Sequence, residues 1–253
     1  MDLLLRGKNA LVTGGSRGIG AGICTVLAEE GCNVAINFRS DVKHAEEFAA
    51  ELQRQFDVSA CAIRADVSIE TQAMYLYTQA KSQLGQLDIL INNAAGGFRP
   101  SSLSELSEEA WHAAGRGILD PAFYMSRSFV QDHIETKRGG YIVNVLSKSA
   151  ILSSSVNNLT YVVNKGALVS MTRSMAKELI PYGIYVNGIV PGYVKTEHIH
   201  QDGDARTERV RGLLPTHKFA EPKDMGVITA ALCSPLFGQM IGSIVDCTGG
   251  TLI

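Results

Sequence analysis

The sequence has neither an excess of one charge nor a long apolar stretch. Its 23 basic and 25 acidic residues leave a net charge of −2, so no basic surface for nucleic-acid phosphates is predicted. No apolar run approaches the ~20 residues that a membrane-spanning helix needs. The N-terminal MDLLLRGK, acidic at its second position, lacks the pattern of a signal peptide. We therefore expect a cytoplasmic protein that binds neither nucleic acid nor membrane.

Patterns typical of disulfides and metal sites are also missing. The cysteines show no CxxC pairing and stand among apolar neighbours, so we expect reduced, buried thiols. They are Cys24, Cys32, Cys61, Cys233 and Cys247. His198 and His200 lie close together, but no acid–His scaffold surrounds them. No metal site is predicted.

Apolar runs of strand length alternate with helical segments along the chain. The runs are nearly continuous, which is typical of parallel strands covered on both faces. They span residues 9–15, 32–38, 59–67, 87–94, 140–146, 184–192 and 242–250. The segments between them carry apolar residues at three- and four-residue spacing. This alternation predicts an α/β fold with a doubly wound parallel sheet. Because no linker or internal repeat divides residues 1–253, a single domain is predicted.

Segment 196–218 interrupts the alternation. It is polar and then weakly amphipathic, and it follows a predicted strand at the edge where open α/β sheets bind ligands. Long connections of weak structure inside compact domains often serve a site. We interpret the segment as a substrate lid that includes Ile199 and Leu213. The alternative is a variable surface loop.

A glycine-rich turn follows the first predicted strand. Gly14, Gly18 and Gly20 precede a helix in LVTGGSRGIG. Glycines at this junction let the backbone approach a pyrophosphate, and the helix N-terminus faces the negative charge. The position of the turn therefore predicts a dinucleotide site.

The residues after the second predicted strand favour NADP over NAD. Folds that bind NAD carry an acid ~20 residues beyond the turn, whereas this chain has Phe38 and Arg39 there, and Arg17 within the turn. Two guanidinium groups without an acid suit a 2′-phosphate. The alternative is that Arg39 is a solvated loop residue and Asp41 turns into the site.

Tyr161 and Lys165 stand four residues apart in TYVVNKGAL, on one face of a predicted helix. A tyrosine titrates near pH 10, and a fixed ammonium beside it stabilises the phenolate and lowers its pKa. Pairs of this kind occur often by chance and usually indicate surface packing. The accompanying motifs determine whether this pair is interpreted as catalytic or as surface packing.

The glycine turn, NNAAG at 92–96 and the Tyr161–Lys165 pair together resemble the short-chain dehydrogenase/reductase family. The resemblance covers essentially the whole chain and includes GGYIVNVLS at 139–147 and VNGIVPG at 186–192. It implies a Rossmann-like doubly wound sheet, NADP as cofactor, and hydride transfer on a carbonyl or secondary alcohol. Within the family the sequence is most similar to NADP-dependent 3-oxoacyl-type ketoreductases and to enoyl- and dienoyl-CoA reductases.

The resemblance also implies roles for individual residues. Tyr161 is the general acid for carbonyl reduction or the base for alcohol oxidation, and Lys165 lowers its pKa and holds the nicotinamide ribose. Ser147 binds the substrate oxygen, with Ser149 as the competing candidate, because the interval from Ser147 to Tyr161 is about one residue longer than usual. The cofactor is expected to contact Gly14, Ser16, Arg17, Gly18, Ile19, Gly20, Arg39, Asp66, Val67, Asn93, Ala94, Gly96, Tyr161, Lys165, Pro191, Gly192, Val194 and Thr196.

One residue of the family pattern is missing. The family carries an Asn seven residues after an aromatic such as Trp111 and five before a Phe such as Phe123, and both counts reach Ile118. In the family, a backbone carbonyl at this turn holds a water that touches the catalytic lysine. Pro121 has no N–H to give to the Gly117 carbonyl. We therefore expect that carbonyl to be free, on a distorted turn, and to keep the water in place of the Asn. The alternative is weaker catalysis or another proton route.

Three functions remain open at this point. The first is an NADP-dependent ketoreductase or alcohol dehydrogenase, acting on a small carbonyl or alcohol or on an acyl thioester. Ala95, in the doubled alanine of NNAAGG, suggests the second, reduction of an enoyl C=C bond. Ile118 supports the third, an NADP-binding protein with weak or no turnover.

Three further expectations concern the surface. Trp111 is expected to pack its helix onto the sheet. Arg99 is a candidate for an acidic substrate group, although an exposed loop arginine is more often solvated. The family is commonly tetrameric, so a homo-oligomer is expected, and the C-terminal TLI is compatible with burial in it.

Overall fold

The computed structural model describes residues 1–152, 156–196 and 205–252. They contain one parallel sheet with strand order β3-β2-β1-β4-β5-β6-β7. The strands are β1 (Asn9–Val12), β2 (Asn33–Phe38), β3 (Ala60–Arg64), β4 (Ile89–Asn92), β5 (Gly140–Val145), β6 (Ile184–Pro191) and β7 (Ile244–Cys247). Each lies within one of the predicted runs, which confirms the doubly wound α/β fold.

Helices connect the strands and cover both faces of the sheet. They are α1 (Gly18–Glu29), α2 (Val42–Phe56), α3 (Glu70–Leu84), α4 (Glu108–Thr136), α5 (Leu159–Leu179), α6 (Ala205–Gly212) and α7 (Pro222–Leu232). The Ser107 hydroxyl caps α4 by accepting a hydrogen bond from the Ala110 amide at 3.1 Å. Two glutamates follow in the first turn of α4, where they complement the helix dipole.

The two larger apolar clusters of the described residues lie on opposite faces of the sheet. Because neighbouring side chains of a strand point to opposite faces, Val12 packs with α1 and α7, whereas Leu11 packs with α3, α4 and α5. Both side chains are fully buried. The strand order changes direction between β1 and β4, which opens a crevice at the carboxyl ends of these strands.

Two expectations about the helices are wrong. Trp111 is 40% exposed, because it lies in the first turn of α4, before the buried residues of that helix begin at Ala114. It borders a small surface cavity with Gly115 and Asn164. In the 196–218 segment, residues 205–212 form α6 instead of a weakly structured connection.

The remainder of that segment is only partly described. Leu213 is exposed, and Thr196 lies beside the glycine turn. His198, Ile199 and His200 lie outside the described residues, so the lid interpretation stays a prediction.

The five cysteines are free thiols, and all except the partly buried Cys61 are buried. Burial raises the pKa of Cys61 and of Cys247 to about 11, so these thiols are protonated at neutral pH. Within the described ranges, no group of three potential ligand side chains suits a metal ion. The helices in this part of the chain are also too short or too polar to cross a membrane.

Candidate active site

A cavity of about 800 Å³ lies at the carboxyl ends of the strands. It is bordered by the glycine turn after β1, the ends of β2 and β3, residues 93–97, one side of α4, and the turn after β6. Ser147, Tyr161 and Lys165 all face it. The predicted dinucleotide and catalytic residues therefore meet in one place.

The glycine turn is shaped so that side chains are excluded. Gly14 has a φ of +60°, and a Cβ there would lie 3.2 Å from the Cα of Ala94. A Cβ on Gly20 would lie 2.2 Å from the carbonyl oxygen of Gly14. In the described structure, no side chain caps the N-terminus of α1, and its first turn has no acidic residue. The first amides of α1 are thus open to a phosphate group.

Two side chains outside the sequence motifs fix this turn. The Thr13 hydroxyl accepts hydrogen bonds from the amides of Asn93 and Ala94, both at 3.0 Å. The Asn37 amide oxygen accepts the Gly14 N–H at 3.1 Å. In return, the Asn93 side chain donates to the Gly14 carbonyl at 3.0 Å. The ends of β1, β2 and β4 are held together by these bonds.

Two guanidinium groups line the cavity, one from the glycine turn and one from the end of β2. Arg39 lies 4.0 Å from the Asp66 carboxylate, and Arg17 lies 3.8 Å from that of Asp41. Asp41 caps α2 by accepting the His44 N–H at 3.2 Å. Its carboxylate is thus engaged at the helix start and beside Arg17.

His44 was not recognised from the sequence. Its Nε2 lies 3.0 Å from the carbonyl oxygen of Ser16, which ties the start of α2 to the glycine turn. These two residues are 28 positions apart in the chain and meet only in the folded protein. No local sequence pattern indicates their contact.

Ser147 is the serine that reaches the tyrosine. Ser147 lies two residues after β5 ends at Val145, and its hydroxyl forms a hydrogen bond with Tyr161 that acts to lower the pKa of the phenol. Burial has the larger effect and raises that pKa above its ordinary value. The described cavity lining includes Ser147 and not Ser149. Ser149 lies behind it and donates its backbone N–H to the Ser147 hydroxyl at 3.2 Å.

Lys165 lies one helical turn after Tyr161 and is 4% exposed. Its ammonium donates a hydrogen bond to the Val145 carbonyl at 2.6 Å. Burial lowers its pKa to about 8, because the low-dielectric surroundings disfavour the charged form. The Val145 carbonyl fixes the ammonium at the base of the cavity.

The turn of α4 with the missing Asn differs from the expectation. Ile118 is buried, and α4 is helical across it. Pro121 does leave the Gly117 carbonyl without a helical donor, but the Gly96 amide donates to that carbonyl at 3.0 Å. The expectation of a free Gly117 carbonyl is therefore wrong, because the 96–97 backbone packs directly on the helix.

An aromatic residue on the same loop was also missed. The Phe98 ring lies against the Tyr161 ring, with centroids 4.6 Å apart and planes inclined by 36°. This places an apolar side chain directly on the phenol that the sequence motif identified.

The turn after β6 contributes Pro191, Gly192 and Thr196 to the cavity. Val194 is not part of the described lining. It is 3% exposed and bridges to Ala220. The other residues predicted to contact the cofactor line the cavity: Gly14, Ser16, Arg17, Gly18, Ile19, Gly20, Arg39, Asp66, Val67, Asn93, Ala94, Gly96, Tyr161 and Lys165.

Comparison with known proteins gives consistent similarities. A family model described as short chain dehydrogenase matches residues 8–207. The 3-oxoacyl-[acyl-carrier-protein] reductase of Staphylococcus aureus is 31% identical over 243 residues, which cover 96% of this chain and 97% of that protein.

Solved structures agree over almost the whole chain. A putative short-chain alcohol dehydrogenase from Sinorhizobium meliloti 1021 has a TM-score of 0.91 at 30% identity, covering 100% of this chain and 99% of that one. A short chain dehydrogenase from Burkholderia cenocepacia J2315, solved in complex with NADP, has a TM-score of 0.89 at 30% identity and covers 97% and 98%.

Proposed function

Since the chain belongs to the short-chain dehydrogenase family, we propose that it is an NADP-dependent ketoreductase. It transfers a hydride between NADP(H) and a carbonyl or secondary alcohol, and NADP preference favours reduction. One observation carries the proposal: Tyr161, its hydrogen-bonded Ser147 and the buried Lys165 share a single cavity with the glycine turn.

The chain's own residues fit the cofactor. Gly14 and Gly20 stand where a side chain would collide with neighbouring backbone, and the first turn of α1 is open to an anion. Arg17 and Arg39 are the guanidinium groups suited to a 2′-phosphate, while the end of β2 offers Phe38 in place of an acid. When bound, NADPH supplies the hydride.

The remaining chemistry belongs to three side chains. Ser147 donates a hydrogen bond to the substrate oxygen and orients the carbonyl. Tyr161 would give its phenolic proton to that oxygen, which becomes the hydroxyl of the product alcohol. The Lys165 ammonium would stabilise the phenolate left behind and would hold the nicotinamide ribose hydroxyls of a bound cofactor. Because the site is buried, these charge interactions are stronger than in water.

The substrate class is tested by a panel. The S. aureus relative is named for a 3-oxoacyl group on a carrier protein, so we propose an acyl thioester or a simpler ketone as substrate. NADPH oxidation is measured over ketones, 3-oxoacyl thioesters and enoyl thioesters, with NADH in parallel. The proposal expects turnover of carbonyls with NADPH. Turnover of enoyl thioesters alone would identify a C=C reductase, and NADPH binding without any turnover would identify a non-catalytic protein.

We also propose a homotetramer in the cytoplasm. Exposed apolar side chains on α4 and α5, namely Trp111, Phe123 and Val163, support an assembly in which these faces are covered. Light scattering measures the mass, and a monomer at micromolar concentration would contradict the assembly.

A further inference from the structure

We infer that Phe98 is a positioning residue for Tyr161, and that Gly117 and Pro121 of α4 form the notch that holds it there. The inference rests on the proposed function, in which Tyr161 is the proton donor. It also gives a physical role to the glycine at 117 and the proline at 121, which are both unfavourable inside a helix.

The notch is a close contact between two backbones. A Cβ on Gly117 would lie 2.2 Å from the Gly96 carbonyl oxygen and 3.0 Å from the Gly97 Cα. A Cβ on Gly97, whose φ is +72°, would lie 2.7 Å from the Ala113 carbonyl oxygen. Neither position has room for a side chain, so a glycine is required on both sides.

Pro121 frees the acceptor of the hydrogen bond that closes the notch. In an unbroken helix the Gly117 carbonyl would accept the N–H of residue 121, and proline has none. The carbonyl instead accepts the Gly96 N–H at 3.0 Å. The proline thus turns a helical acceptor into an anchor for the loop that begins at Gly96.

A second anchor fixes the other end of this loop. The Ser101 amide donates to the Asn157 carbonyl at 2.8 Å, just before α5 begins at Leu159. Phe98 lies between the two anchors, and its ring is 4.6 Å from that of Tyr161. The loop therefore spans from α4 to the start of the tyrosine-bearing helix and holds the aromatic ring against the phenol.

This contact acts on the reaction through Tyr161. The Phe98 ring excludes water from one side of the phenol and limits its rotation, so the proton is directed to the substrate oxygen beside Ser147. A small displacement of the loop releases the ring. A misplacement of about 1 Å costs on the order of 10²-fold in rate when it disturbs a reacting group.

The first test compares two glycines of the same helix. A Cβ on Gly115 meets only the Asn164 side chain, at 3.6 Å, so Gly115→Ala is the control for Gly117→Ala. Both changes introduce a better helix former. We expect Gly117→Ala to speed amide hydrogen exchange over residues 96–101 roughly tenfold and to lower kcat on the order of 10²-fold. Gly115→Ala retains wild-type exchange and kcat. Equal hydrogen exchange and equal kcat in the two variants would overturn the proposal that the notch holds the loop.

The second test replaces the aromatic ring itself. Phe98→Ala exposes the phenol to water, so the burial that raises its pKa is reduced. For carbonyl reduction, which needs the protonated phenol, the alkaline limb of the kcat/KM profile then moves to lower pH, and kcat falls on the order of 10²-fold. Phe98→Tyr restores both. A profile that stays fixed in Phe98→Ala, or a loss that Phe98→Tyr does not restore, would overturn the positioning role.

The two proposals fail in different ways. If wild-type protein oxidises NADPH with no carbonyl in the panel, the proposed function fails, whereas hydrogen exchange still decides whether the notch exists. If wild type turns over and Gly117→Ala matches Gly115→Ala in exchange and rate, the notch fails while the proposed function stands.

Discussion

Replacing Arg39 with Ala tests whether this exposed guanidinium contributes to the preference for NADPH over NADH. Arg39 lines the cavity directly after β2 ends at Phe38, and its side chain is 73% exposed. A hydrogen bond between charged groups contributes about 1.5–3 kcal/mol, and solvent screening at this exposure reduces it to about 1 kcal/mol. Since 1.4 kcal/mol is a factor of about ten, the Kd for NADPH is expected to rise about fivefold. The Kd for NADH should not change, because NADH has no 2′-phosphate.

The assay is a titration of protein fluorescence with each cofactor, at low and at high salt. The loss for NADPH should shrink at high salt, where exposed charges are screened. Lys43→Ala is the matched control: it removes the same charge from the start of α2, but Lys43 pairs with Glu47 and lies outside the described cavity lining. An equal loss for NADH and NADPH, or no loss for either, would refute the assignment of Arg39.

Three further predictions concern catalysis, packing and pH. Ser147→Ala should lower kcat on the order of 10²-fold, while Ser149→Ala, behind the cavity, stays within about threefold of wild type; steady-state kinetics decide. Gly22→Ala should cost about 1–3 kcal/mol in urea unfolding, because its Cβ would lie 2.3 Å from the α7 backbone. By contrast, a Cβ on Gly166 would meet nothing within 4 Å beyond its chain neighbours and the nearby backbone of α5, so Gly166→Ala should gain about 0.5–1 kcal/mol. Burial lowers the pKa of Lys165 to about 8, so without cofactor the wild type should gain unfolding free energy relative to Lys165→Met as pH rises from 8 to 10.5.

Each of these three predictions has an outcome that would contradict it. A larger kinetic loss from the Ser149 variant would reassign the substrate-oxygen donor. Equal unfolding free energies for the two glycine variants would contradict the α1–α7 contact. For the lysine, the unfolded chain binds more protons than the folded chain between the two pKa values. If the difference in unfolding free energy between the wild type and Lys165→Met does not change over this pH window, the burial of the ammonium is contradicted.

Much of the fold follows from local sequence patterns. Continuous apolar runs identified the strands, because a parallel strand covered on both faces needs apolar side chains on both. The glycine turn and the Tyr161–Lys165 pair were recognisable for the same reason, since each depends on residues close together in the chain. Their convergence in one cavity follows from the strand order.

What the sequence did not reveal depends on contacts between distant segments. The partner of the Gly117 carbonyl is Gly96, on the preceding loop. The contact of Phe98 with Tyr161 joins residues 63 positions apart. Pro121 correctly indicated a released carbonyl, but only the packing of the loop determines what the carbonyl binds. Trp111 was misplaced because an aromatic in a first helical turn can lie beyond the buried surface.

The turnover of Tyr161→Phe at saturating NADPH tests the central claim most directly. The substitution removes the phenolic proton and keeps the ring that packs on Phe98. Because general acid catalysis contributes about 10²–10⁴-fold, the rate of carbonyl reduction should fall by about that factor, while the Kd for NADPH stays near the wild-type value. Turnover within about tenfold of wild type would contradict Tyr161 as the proton donor and, with it, the proposed mechanism.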